Sequence, residues 1–206
     1  FVGDLADPNM TSCLIGGTSG SGKSELIRSL VVAIALNNPD MNLTCTLIDP
    51  KRVTFTDFGQ SPFLSQPVIM DPDRAMDALM MHVSEMEERY RVLENAGCPD
   101  ISEYNARYSP QMKRTIILID EYADLIMNKS TKDALESAIQ KIGQKGRAAG
   151  FHLILATQRP DAKIITGVIK ANLQLKIALK VTSSTNSRII LDETGAKAEN
   201  LELEIT

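Results

Sequence analysis

Short apolar runs rich in branched residues alternate along the chain with longer stretches whose apolar positions recur every three or four residues. The runs at 12–15, 43–48, 115–119, 151–156 and 173–181 predict strands. The stretches 23–36, 71–96, about 101–108 and about 132–145 predict helices. In 71–96 the stripe Ala75, Met76, Leu79, Met80, Val83, Met86, Tyr90 and Leu93 marks a buried face, with Gly97 placed to stop the helix. Gly146 is read in the same way as the end of 132–145. The runs IILI and LILA are apolar at successive rather than alternate positions, as in strands covered on both faces. Strands alternating with helices imply a mostly parallel central sheet with helices on both faces, an α/β architecture. In such sheets ligands gather beyond the carboxyl ends of the strands, so polar residues there are the first candidates for chemistry.

One such place follows the first strand. Gly17, Thr18, Ser19, Gly20, Ser21, Gly22, Lys23 and Ser24 fit G-x-x-x-x-G-K-[ST], the phosphate loop, with Glu25 next in the helix. Its glycines let backbone N–H groups face phosphate oxygens, and the helix start adds partial positive charge. Lys23 would reach the β- and γ-phosphates of ATP, and the Ser24 hydroxyl would ligate Mg2+, an ion that prefers hard oxygens. After the third strand come Asp120 and Glu121. Asp120 is the candidate magnesium-side carboxylate, partly through water, and Glu121 the candidate base for the attacking water. A plainer role for both acids is to cap the next helix. The fourth strand ends at Thr157-Gln158-Arg159-Pro160, where Gln158 would sense the γ-phosphate or orient water, or else satisfy loop backbone groups. Arg147 stands at a helix end, where it either complements the helix dipole or acts as an arginine finger on a neighbouring subunit.

Composition changes this picture little. With 206 residues, 43% hydrophobic and 23% charged, the chain is an ordinary folded domain, read as one unit over 1–206. Three cysteines without C-x-x-C spacing argue against a disulfide framework or zinc site and for a reducing, cytoplasmic setting. No apolar run approaches membrane-spanning length. The opening at Phe1 suggests a fragment of a longer protein, which leaves room for a membrane anchor in the parent outside this stretch. Charge matters more. The net charge is −4, yet between Arg147 and Lys180 six basic residues face Asp161 alone, a local +5 against −9 elsewhere.

Taken jointly, GGTSGSGKS, LIDPK, VSEMEERYRVL, IILIDEYADL, GRAAGFHLILATQRP, IITGVIKAN and SRIILDETGA, in that order over almost the whole chain, resemble the motor domain of the FtsK/SpoIIIE family of DNA translocases. These are RecA-like P-loop NTPases of the additional-strand type. The resemblance implies an ATP-driven homo-hexameric ring that moves double-stranded DNA through a central channel, in chromosome segregation or plasmid transfer. It implies magnesium and catalytic roles for Asp120 and Glu121, and a trans-acting role for Arg147. Arg89, in EMEERY, is a second finger candidate, although Glu85 one turn earlier would simply pair with it. Arg159, Lys163 and Lys170 fall where the family lines its channel, and a motor that must hold any sequence needs phosphate contacts rather than base readout. The family's final strand and winged-helix domain have no counterpart before Thr206, and the insertion common before the acidic strand is missing between Tyr108 and Thr115. The competing reading is the ATPase of a specialised, type VII-like protein secretion system. A P-loop kinase would need an acceptor-binding lid, and none is evident.

Overall fold

The computed structural model of the chain describes residues 12–38, 42–59, 61–127 and 129–192. Five strands, β1 (Ser12–Gly16), β2 (Leu43–Ile48), β3 (Arg114–Ile119), β4 (Phe151–Thr157) and β5 (Leu175–Ala178), form one sheet in the order β2-β3-β4-β1-β5. Every neighbouring pair is parallel. The additional strand is β4, which separates the strand leading to the phosphate loop from the strand leading to the acidic pair.

The continuous apolar runs are explained by the cover on each face. Successive β3 residues point to opposite sides. Ile117 and Ile119 join a core with helices α2 (Pro72–Ala96) and α5 (Lys129–Ala149), whereas Ile116 and Leu118 join a second core with α1 (Lys23–Leu36). The second face is completed by the irregular segment that carries Phe55, Phe58, Phe63 and Leu64. Smaller helices α3 (Ile101–Arg107), α4 (Tyr122–Leu125), α6 (Gly167–Asn172) and α7 (Ser184–Leu191) fill in around the sheet.

Two expected boundaries move. The helix expected at about 132–145 runs on to Ala149, straight through Gly143 and Gly146, and ends at Gly150 with φ +77°. Both internal glycines sit where a backbone comes close: a Cβ on Gly143 would lie 2.7 Å from the Asn172 carbonyl oxygen, and one on Gly146 would lie 2.8 Å from that of Phe151. The strand expected over 173–181 is shorter at both ends. Leu173 closes α6 through its N–H to the Ile169 carbonyl, and beyond Ala178 the Lys180 carbonyl turns to accept from Thr18 in the phosphate loop.

Candidate functional site

Because the sheet is parallel and its order is β2-β3-β4-β1, the loops after these four strands lie side by side at one edge. The phosphate loop leaves β1 and enters α1 through Gly20 and Gly22, at φ +76° and +86°, conformations that glycine alone adopts without strain. Helices α2, α3, α6 and α7 each begin with a side chain that accepts from the first-turn amides, namely Asp71, Asp100, Thr166 and Ser183. Helix α1 has no such cap, so its first-turn donors stay open to an anion. Within the loop, the Ser21 hydroxyl is buried with no hydrogen-bond partner among the described residues. Both features fit a bound phosphate.

Lys23 is 3% exposed, and its Nζ donates to the carbonyl and to Oδ1 of Asp120, each at 2.6 Å. The other carboxylate oxygen of Asp120 accepts from Thr54 Oγ1 at 3.0 Å, and Thr54 also lies 3.3 Å from Ser24 Oγ. Three hard oxygens from Ser24, Thr54 and Asp120 therefore gather at the mouth of the loop, a donor set suited to Mg2+ completed by phosphate and water. Asp49, fully buried, accepts from the N–H groups of Thr54 and Phe55 and holds the segment after β2 in shape.

Glu121 is buried beside them. Its Oε1 accepts from Thr157 Oγ1 at 2.6 Å, its Oε2 accepts from Lys51 Nζ at 2.9 Å, and the Gln158 N–H reaches both oxygens. Lys51 also donates to the Gln158 side chain at 3.2 Å. Burial pushes the Glu121 carboxyl up, but the Thr157 hydroxyl, Lys51 and the Gln158 amide together hold it below its usual range. Neither acid caps α4, which has no side-chain cap at its start. The arrangement has three parts: a cradle for phosphates, an oxygen cluster for a cation, and a buried carboxylate wired to a glutamine.

A model of the FtsK/SpoIIIE family matches residues 4–162. The chain belongs to the FtsK/SpoIIIE family. It is 40% identical over 98% of its length to the DNA translocase FtsK of Chlamydia trachomatis serovar D, of which it covers 26%. A solved structure of the pCW3 conjugation coupling protein TcpA, with ATPγS, superposes with a TM-score of 0.80 at 30% identity, covering 94% of this chain and 55% of that one. The cytoplasmic domain of the type VII secretion ATPase EccC from Thermomonospora curvata does so with a TM-score of 0.75 at 28% identity, over 90% of this chain and 22% of that one. The fold and the phosphate loop are those of a P-loop ATPase, and the chain spans about a quarter of the length of the FtsK relative.

Four residues at this sheet edge have no role assigned from the sequence: Asp49, Lys51, Thr54 and Thr157. Lys51 lies in LIDPK, one of the family stretches, but nothing in that string says which acid it meets. The two arginines lie at the far end of the sheet. Arg147 is exposed in the last turn of α5, beside a cleft of about 230 Å³ lined by Asp100, Ser102 and Arg114, the residue that opens β3. Arg89 is engaged inside its own chain. It donates to the Ala149 carbonyl at 2.8 Å, to Glu85 at 2.7 Å and to Thr115 Oγ1, with its guanidinium 4.4 Å from the Phe151 ring centroid. The basic residues differ as well. Arg159 and Lys163 are exposed, whereas Lys170 pairs with Asp192, which also holds Lys176. Among the described residues, no helix is long and apolar enough to cross a membrane.

Proposed function

We propose that this chain hydrolyses ATP in the motor of a double-stranded DNA translocase, working as a homo-hexamer with nucleotide held between subunits. The observation that carries the reading is the convergence of Lys23, Ser24, Asp120, Glu121 and Gln158 at one sheet edge of a FtsK/SpoIIIE chain. The phosphate loop binds the triphosphate, with Lys23 leaving Asp120 for the phosphates. Ser24, Thr54 and Asp120 would hold Mg2+, which when bound neutralises phosphate charge. Glu121 takes a proton from water as its oxygen bonds to the γ-phosphorus. The bond to the bridging oxygen breaks, and its electron pair leaves on ADP. Gln158, bound to Glu121 through its own N–H, orients that water.

Arg147 lies at the opposite strand end from its own phosphate loop, so any action on nucleotide falls on a neighbour's site. Arg89, engaged within the chain, serves as a strut between α2, β3 and the end of α5. For DNA, Arg159 and Lys163 are the phosphate contacts this structure favours, and Lys170 must first give up Asp192.

The test is ATP turnover by the full-length protein with and without double-stranded DNA of unrelated sequences. Stimulation by every DNA is expected, reduced in Arg159→Ala/Lys163→Ala with basal turnover retained. The similarity to the secretion ATPase EccC supports the second reading, a protein cargo. Stimulation by a secretion signal peptide and not by DNA would establish that reading in place of the first.

A further inference from the structure

Two ammonium groups at this sheet edge face two carboxylates. Lys23 sits on Asp120, and Lys51 sits on Glu121 and Gln158. The phosphate-loop motif accounts for the first pair, since Lys23 is the residue that turns to the β- and γ-phosphates. Nothing in the motif accounts for the second.

Glu121 has no room for a water while Lys51 is in place. A carboxylate offers about four lone-pair directions. Here Thr157 Oγ1 and the Gln158 N–H occupy Oε1, and the same N–H and Lys51 Nζ occupy Oε2. Thr157 closes β4, and Gln158 follows it and donates through its backbone N–H, so neither donor has a long side chain to swing away. Lys51 is the one donor of the three on a long, flexible stem, and its side chain keeps 30% of its exposure while Glu121 keeps none. The group that must leave for Glu121 to accept a water proton is therefore also the group free to move. Its destination follows from charge. An ammonium leaves a buried carboxylate only for a stronger anion, and the anion that must lie beside Glu121 is the terminal phosphate whose attacking water Glu121 activates.

We infer that Lys51 is a γ-phosphate sensor: without the terminal phosphate it occupies Glu121 and Gln158, and with it Lys51 transfers to the phosphate and releases Glu121 to water. This rests on the reading of Glu121 as the base. ADP lacks the terminal group and leaves Lys51 where it is. Lys51 is thus a source of discrimination between triphosphate and diphosphate, separate from Lys23, which serves both.

The experiment measures binding of ATPγS and of ADP, with magnesium, to the full-length protein by calorimetry. Lys51→Met should weaken ATPγS by about tenfold, the worth of one charge-assisted hydrogen bond, and leave ADP within about twofold. Lys51→Arg keeps the charge and should preserve the wild-type ratio. Glu121→Gln removes the charge that Lys51 must abandon, so it should tighten ATPγS several-fold, by about the worth of that lost pairing, with ADP unchanged and no gain in the Lys51→Met/Glu121→Gln double variant. Equal effects of Lys51→Met on both nucleotides, no effect on either, or a gain that survives in the double variant would overturn the assignment. Where Lys51→Met fails to fold, the Glu121→Gln gain for ATPγS over ADP carries the test, and its absence overturns the assignment too. Failure of the underlying reading looks different: Glu121→Gln would then hydrolyse ATP at the wild-type rate while the binding split persisted.

Discussion

Lys23 and Asp120 form an ion pair with almost no exposure on either side chain, 2% and 1%. Taking two charges out of water is tolerable only while both are present, and removing one partner costs about 3–5 kcal/mol because the other is left buried and uncompensated. Lys23→Ala should therefore lose nucleotide binding and also destabilise the nucleotide-free protein on that scale. Adding Asp120→Asn should restore most of the stability and none of the binding. Urea midpoints of wild type and both variants check this. A Lys23→Ala midpoint equal to wild type would mean that the pair contributes nothing before nucleotide arrives, and equal midpoints for the two variants would mean that the stranded Asp120 charge is not the cost. At this scale the sequence was most readable where chemistry and chain order coincide. The phosphate-loop residues are contiguous, so their shared role could be read directly. Lys51, Thr54 and Thr157 could not be read in this way, because each meets an acid just after β3, 70, 66 and 36 residues away respectively. Cys13 and Cys45 turn out as the apolar runs around them imply. Both are buried, and burial pushes each thiol up to about 12, so they are core members rather than reactive groups.

Among the elements, α5 shows why a glycine is an ambiguous sign. Gly146 was expected to end that helix, since glycine commonly does, but here it lets α5 lie against the start of β4, and the stop is Gly150. Alanine is normally worth up to about 1 kcal/mol over glycine inside a helix. At Gly143 and Gly146 that gain is opposed by backbone oxygens 2.7 and 2.8 Å from the new Cβ. Both Gly→Ala variants should lower the melting temperature, whereas Gly167→Ala in α6, with nothing within 4 Å of its Cβ, should be tolerated. A gain in melting temperature at either α5 position would show that α5 can shift off the sheet at little cost. The end of the sheet offers a second test. Asp192, after α7, accepts from Lys170 of α6 and Lys176 of β5, and these two bonds, Lys170 first, lower its carboxyl to about 2. A carboxyl lowered by folding stabilises fully above its unfolded value, about 3.9, and loses that contribution as pH falls toward 2. The wild-type melting temperature should drop through that window more steeply than that of Asp192→Asn, and the two should converge near pH 2. Parallel curves would mean that the clasp adds nothing to stability.

For the whole molecule, the five strands, their parallel sense and the two covered faces followed from apolar runs and helical periods, but the strand order did not. No local pattern says that β4 lies between β1 and β3, and that order is what brings Gln158 to Glu121. Because the strands are parallel, Arg147, just before β4, and the phosphate loop, just after β1, lie at opposite strand ends, in keeping with the proposed site completed by a neighbour. A finger of this kind stabilises charge in the transition state and contributes little to ground-state binding. Arg147→Ala should then cut hydrolysis by about a thousandfold in the assembled protein, the lower end for such a residue, while leaving ATPγS binding nearly intact. Arg89→Ala should act differently. It removes a strut that joins α2 to the end of α5 and to Thr115, so its main effect should be a lower melting temperature. Mixing separates action within a subunit from action across a boundary. Subunits carrying Arg147→Ala retain an intact phosphate loop, and subunits carrying Lys23→Ala retain Arg147. In the proposed ring, mixing makes some junctions that pair the good loop with the good arginine, so activity should return in the mixture although each variant alone is inactive. Rescue that peaks near equal proportions is the expected signature, since productive junctions are then most frequent. Complete absence of rescue, with mixed assemblies demonstrated by differential tagging, would confine Arg147 to its own subunit as the cation at the end of α5.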